Sequence, residues 1–132
     1  MGLAKLMDQG ENRVLNILFG THDVDTVLYL GLYKNVAALA EDAALTGLEE
    51  PVGFGYARIA VSRGSWTISG ASATYPAQTF LADGGDWGDI TGYFLGTTVN
   101  NTGKLLFTEH LDAAIEVTDG KGIKVTLTVQ AR

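Results

Sequence analysis

Cysteine is absent from the 132-residue chain, and only two prolines and two histidines are present. Without cysteine there are no disulfides, zinc thiolate sites or thiol nucleophiles, so stability has to come from packing or from subunit association. Nucleophilic catalysis needs a Ser, Cys or Thr beside a base held by a third group. His22 and His110 are the only histidine bases, and no Gly-x-Ser-x-Gly elbow occurs. Ser65 sits between Gly64 and Trp66 in an expected strand, where no strained turn would expose its hydroxyl. Basic residues are scarce as well: nine Lys and Arg against fifteen Asp and Glu leave a formal charge of −6. Affinity for a phosphate backbone comes from clustered cations that displace counterions, so no nucleic-acid partner is expected. No apolar run reaches the roughly 18 residues of a membrane span, so no membrane partner is expected. Leu6 stands where a myristoylation signal wants Ser or Thr, and no signal-peptide apolar segment follows.

Glycine is abundant instead, at 17 residues, and it is interspersed with Val, Thr and Tyr. That mixture predicts short strands separated by tight turns. A hydrophobic content of 46% against 18% charged residues is that of a globular chain, and the length suits one core. Leu3, Leu6, Met7, Gly10, Val14, Ile17 and Leu18 recur at spacings of three and four, which predicts one face of a helix. Gly10 weakens its middle and Gly20 is a natural stop. Residues 1–20 therefore read as an amphipathic helix or arm, which either caps the chain's own core or docks on a neighbouring subunit. Residues 21–132 read as a single β-sandwich domain.

From Thr26 the period changes to two: Leu28, Leu30 and Leu32 alternate with Tyr29, Gly31 and Tyr33, which predicts a strand with its leucines in the core. Residues 35–50 are rich in Ala, Leu and acid and read as a surface excursion. Further strands are expected over residues 56–62, 65–69, 78–81 and 90–95. Asn100-Asn101-Thr102-Gly103 is a hairpin turn, because Asn and Gly tolerate positive φ. In the last segment Ile123, Val125, Leu127 and Val129 alternate with Lys124, Thr126, Thr128 and Gln130, as in an antiparallel sheet with one wet face. The expected fold is mainly β: an antiparallel β-sandwich, jelly-roll or immunoglobulin-like, with a short N-terminal helix.

Few residues carry chemistry. Glu109 and Asp112 flank His110, yet neighbouring carboxylates at a strand end are solvated charges rather than a pair set across a cleft. Asp83, Asp86 and Asp89, with glycines between them, are a calcium candidate, although their spacing matches no EF-hand loop and exposed turns use the same residues. His22, Asp23 and Asp25 could also hold a metal but read as a linker. Gly53-x-Gly55 is too short for a dinucleotide fingerprint and precedes a strand. No cofactor is expected. Trp66 reads as core, whereas Trp87, among Gly and Asp, could anchor its loop, stack a glycan or fill a partner's pocket.

The tract from Val27 to Tyr33, the Glu50 to Arg58 segment ending Gly55-Tyr56-Ala57-Arg58, and Trp87-Gly88-Asp89-Ile90-Thr91-Gly92-Tyr93-Phe94 together resemble a family of small tailed-bacteriophage virion proteins. These open with a short amphipathic helix, followed by a "LYLGLY"-type strand, a Glu-to-"GYAR" segment and a glycine-rich turn. The resemblance implies a non-enzymatic component of the phage particle; the short chain, without a fibre's repetitive shaft, points to a capsid decoration protein on the capsid exterior, and analogy with small β proteins that stud capsids to a homotrimer bridging subunits of the major capsid protein. A tail fibre or tail accessory protein is the alternative, and a carbohydrate-binding module for host attachment is another. Leu3, Leu6, Met7 and Trp87 are the expected partner-binding residues. Residues 35–50 depart from the shorter, more acidic loop of many relatives.

Overall fold

The computed structural model describes residues 4–130. The alternating leucine tract forms strand β2 (Val27–Tyr33), which lies inside the largest sheet. Its antiparallel neighbours are β3 (Ile59–Ser62) and β7 (Gly88–Gly96). The Asn-Asn-Thr-Gly turn joins β7 to β8 (Leu105–Val117), and β8 in turn pairs with β1 (Lys5–Leu6). The five strands run in the order β1-β8-β7-β2-β3. Two smaller sheets complete the chain. One pairs β6 (Gln78–Leu81) with β9 (Gly122–Val125), and the other orders β10 (Thr128–Gln130), β5 (Ser72–Thr74) and β4 (Thr67–Ser69). With 42% strand against 14% helix and antiparallel sheets throughout, the fold is mainly β with one short helix, as the residue pattern predicts.

The large sheet is buried on both faces. Leu30, Leu32, Tyr93 and Leu95 point into a core shared with Phe80, Ile123 and Val125 of the two-stranded sheet and with Tyr75 and Leu127 beside the three-stranded one. On the opposite face Tyr33, Phe94 and Leu105 pack with Met7 and Leu45. Residues 35–50 are thus more than the surface excursion expected: Leu45 is fully buried, with Leu39, Ala43 and Leu48 packed around it, so this stretch covers a second core. Its Ala and Leu content follows from that role, since covering both faces of a sheet needs apolar residues outside the strands.

Two glycines fix the spacing of this face. Gly31 pairs with Phe94 and Gly92 pairs with Tyr33, so each glycine of the β2–β7 ladder lies under the aromatic ring opposite it. A methyl group on Gly31 would overlap the Phe94 ring and the Tyr56 hydroxyl, and one on Gly92 would overlap the Tyr33 ring and the Glu109 carbonyl. Glycine inside a strand marks such a close approach.

Helix α1 (Asp8–Phe19) differs from the expected one. It begins two residues after β1, not at Leu3, because Leu6 is in the sheet and Met7 is drawn into the second core, its N–H donating to Leu106 O at 2.8 Å. Gly10 does not divide the helix. It is the point where α1 lies directly on the Leu106 backbone, with no room for a side chain. The last expected strand also divides: β9 pairs with β6, whereas β10 leaves to pair with β5. The alternation of buried Ile123, Val125 and Leu127 continues across the break.

Gly31→Ala and Gly92→Ala are each expected to destabilise the protein by about 1–3 kcal/mol or more through overpacking. Gly47→Ala, at an open position without positive φ, should change stability by less than about 0.5 kcal/mol. Urea denaturation midpoints of the three variants check this ordering.

Candidate functional site

The tract between Glu50 and Arg58 folds back on itself. Gly53, Phe54 and Gly55 all have positive φ, at 73°, 50° and 81°. Glycine takes this conformation freely, but phenylalanine does so rarely. The strain at Phe54 is held by its carbonyl, which accepts hydrogen bonds from Asp83 N–H at 2.9 Å and from the Trp87 indole N–H at 3.1 Å. The turn returns Tyr56 and Arg58 to Glu50. Tyr56 donates its hydroxyl to Glu50 Oε2 and accepts from Leu32 N–H at 3.0 Å, which ties the segment to the centre of β2.

Arg58 occupies the floor of a cleft of about 380 Å³ lined by Glu50, Tyr56, Val99, Asn100 and Asn101. Its side chain is only 4% exposed. All five guanidinium N–H groups are spoken for: Nε and Nη2 donate to Glu50, Nη1 to the carbonyls of Thr98 and Asn100, and Nη2 also to Asn101 Oδ1. Beneath it, 4.9 Å from the guanidinium carbon, lies the Phe94 ring, itself seated on Gly31. No donor remains for a ligand anion, and a guanidinium has no acceptor to offer. The group is a clamp that fastens the 50–58 segment to the β7–β8 turn.

A second polar group lies at the other end of that face. Tyr33 donates to Glu109 O at 3.0 Å, and its ring stacks on His110 with centroids 5.9 Å apart. Tyr93 Oη and Glu109 Oε2 face each other across β7 and β8, each buried without a hydrogen-bond partner. Burial drives the phenols of Tyr33, Tyr56 and Tyr93 far above their ordinary range, with Glu109 adding to Tyr33 and Tyr93, and Glu50 to Tyr56. Their protons are therefore retained at neutral pH, and none of the three can act there as a phenolate base or nucleophile.

A protein-family model described as "Podophage GP4 fiber I protein gp80" matches residues 5–129. The chain belongs to that family. No curated protein matches it. The chain is thus a structural protein of a phage virion, and the tracts that carried the resemblance are the ones that meet at the clamp: β2 through Leu32 and Gly31, the Glu-to-Arg turn, and β7 through Phe94.

The expected partner-binding residues do not meet. Leu3 lies outside the described residues. Leu6 is half-buried in β1, and Met7 is fully buried in the second core, so Met7 has no surface to offer a partner. Trp87 is likewise internal: it packs edge-on against Tyr56 at 5.5 Å and is 3% exposed, so it anchors its loop rather than stacking a glycan or filling a partner's pocket. Asp86 accepts from Asp119 N–H at 2.8 Å, and Asp119 accepts from Gly84 N–H at 2.8 Å, which locks two turns together. No group of three or more His, Cys, Asp or Glu suited to a metal occurs among the described residues, so Asp83, Asp86 and Asp89 do not assemble as a calcium site. Asp25 pairs with Arg13 at 3.7 Å, and the exposed His22 ring contacts the Asp23 carbonyl.

An apolar surface lies on α1 and beside it, and the groove is the part that sequence reasoning missed. Val14, Leu15, Leu18 and Phe19 are exposed on α1, Phe19 at 83%. Between α1 and the small three-stranded sheet run two adjoining hollows of about 220 and 500 Å³, which share Leu28, Arg63 and Phe107. The exposed Ile68 and the half-buried Trp66 line the far end.

Arg58→Met should cost about 3–5 kcal/mol, because it leaves Glu50 without its cation. Arg58→Lys should recover little, since a point ammonium cannot serve a fork of acceptors. Adding Glu50→Gln to Arg58→Met should restore part of the loss in a thermal or urea unfolding series. The three buried phenols set an alkaline limit. Each folded pKa lies above the ordinary value of 10.0, so their stabilisation is intact below that pH and is lost as pH rises beyond it. At about 1.4 kcal/mol per pH unit for each group, the loss should reach about 4 kcal/mol per unit. Tyrosinate absorbance should rise in step with loss of structure.

Proposed function

We propose that this virion protein is a non-enzymatic decoration protein of the capsid exterior, a homotrimer that bridges subunits of the major capsid protein. The observation that carries the reading is the contrast between its two kinds of surface. The polar clusters are internally satisfied or hold their protons, as the Arg58 clamp and the buried tyrosines do. The apolar residues, in contrast, are left facing outward on α1 and along the groove beside it. Exposed apolar surface of this kind marks an interaction surface. Repetition over many copies gives such a modest contact its strength by avidity. Acidic residues prevail in the chain, and they keep the faces turned away from the capsid soluble.

The description of the family as a fibre protein favours a second reading, in which the chain is a tail fibre or tail accessory protein. Against it, the described residues form short antiparallel sheets around two cores with no repeating shaft element. Adding purified chain to particles assembled without it and imaging them by electron microscopy separates the two. Decoration predicts density repeated over the capsid facets, whereas density confined to the tail rejects decoration in favour of the fibre role.

A further inference from the structure

The outward face of α1 and the groove next to it are complementary in shape class and in charge. Glu11, Leu15 and Leu18 are spaced by four and three residues, so they form one stripe along the helix, with Phe19 beside it. All four are exposed. The stripe therefore carries an acid at one end and large apolar side chains over the following two turns. Among the described residues Glu11 has no ion pair: Lys5 is taken by Glu41, Arg13 by Asp25 and Arg58 by Glu50.

The groove carries the opposite arrangement. Leu28, Trp66, Ile68, Phe107 and Val129 line it, and Arg63 sits where its two hollows join. Arg63 is exposed, and no carboxylate among the described residues lies within ion-pair distance of it. Arg63, unpaired in a mostly apolar trough whose α1 end also carries the Arg13–Asp25 ion pair, matches the acidic head of the ridge, Asp8 and Glu11.

We propose that the groove is filled by helix α1 of a second copy of this chain, with Glu11 of one copy against Arg63 of the other and Leu15, Leu18 and Phe19 in the trough. Helix in groove is a recurrent docking mode, with anchors at these spacings. Ridge and groove are different patches, so the contact is heterologous, and repetition about an axis closes a ring rather than burying one patch against itself. The inference goes beyond the role proposed above and does not depend on whether the assembly sits on capsid or tail.

The absence of cysteine makes a clean test. Leu18→Cys protein is mixed with Ile68→Cys protein and oxidised mildly, both positions being exposed enough to leave the fold unchanged. The mixed disulfide should dominate over either like-with-like product. In sedimentation of the full chain, Glu11→Arg and Arg63→Glu should each weaken self-association at least about tenfold, and the two together should restore it. Disulfides formed only in statistical proportions would overturn the proposal, as would a wild-type chain that stays monomeric up to millimolar concentration. Charge reversals without effect, or not rescued when combined, would do the same. Circular dichroism of each variant separates lost association from lost folding.

Discussion

The second face of the large sheet exists because two aromatic rings lie flat on two glycines. Phe94 over Gly31 and Tyr33 over Gly92 bring β2 and β7 into register. Each ring then becomes the seat for something else. Phe94 carries the Arg58 guanidinium at 4.9 Å, and through it Glu50, Tyr56 and the turn after β7. Tyr33 carries the imidazole of His110 and the backbone of β8. A side chain on either glycine would displace a ring and remove the support of the group stacked above it. Steric exclusion at Gly31 thus governs the distant Arg58 clamp, and at Gly92 the seat of His110 on β8, by the close packing that makes cores respond to a single methyl group.

The Arg58 clamp shows why a motif rich in charge can still be structural. A buried guanidinium costs several kcal/mol to desolvate and is tolerated only when its donors are met. Here a carboxylate, two carbonyls and an amide oxygen meet all five. What such a group provides is definition: it specifies which loop meets which turn. The strained Phe54, held by Asp83 and Trp87, extends the same logic to the neighbouring loop. Trp87 then contributes as an internal brace, and this explains why its place among Gly and Asp resembles an exposed recognition loop when read from the sequence alone.

Local pattern was legible where one strand face met one core. Strands β2, β6 and β7 lie where alternation and turn residues put them, and the mainly β class follows from them. Illegible were features decided by distant partners. The periodic spacing of Met7 fits a helix as well as a core plug, and only the proximity of Leu105 and Leu106 in the fold selects the plug. The break between β9 and β10 leaves the alternation intact, so no local signal marks it. Residues 35–50 read as a surface excursion from the sequence because acids are mixed among the Ala and Leu. Their apolar content makes sense once both sheet faces need cover. The clamp was legible as a set of residues through the family resemblance, but its acceptors at 98–101 were not, since nothing in an Asn-Asn turn announces a cation some 40 residues earlier.

The distribution of apolar residues bears on what such a protein can do in an assembly. Met7 and Leu45 enclose the second core, so the chain does not need α1 as a hydrophobic lid; its single buried residue is Gly10. The helix is instead fixed by backbone contact at Leu106 and presents its larger side chains outward. A helix held by backbone contact at Gly10, by Gln9 Oε1 accepting from Leu105 N–H and by the Arg13–Asp25 ion pair leaves Leu15, Leu18 and Phe19 exposed. The helix lies on β8, and Leu28, Leu95 and Phe107 of the large sheet form one wall of the groove, whereas Trp66, Ile68, Ala73 and Val129, in or beside the three-stranded sheet, form the other. The rings on Gly31 and Gly92 that set the ladder therefore also set where the helix and that first wall stand, which links the packing of the interior to the shape of the exterior.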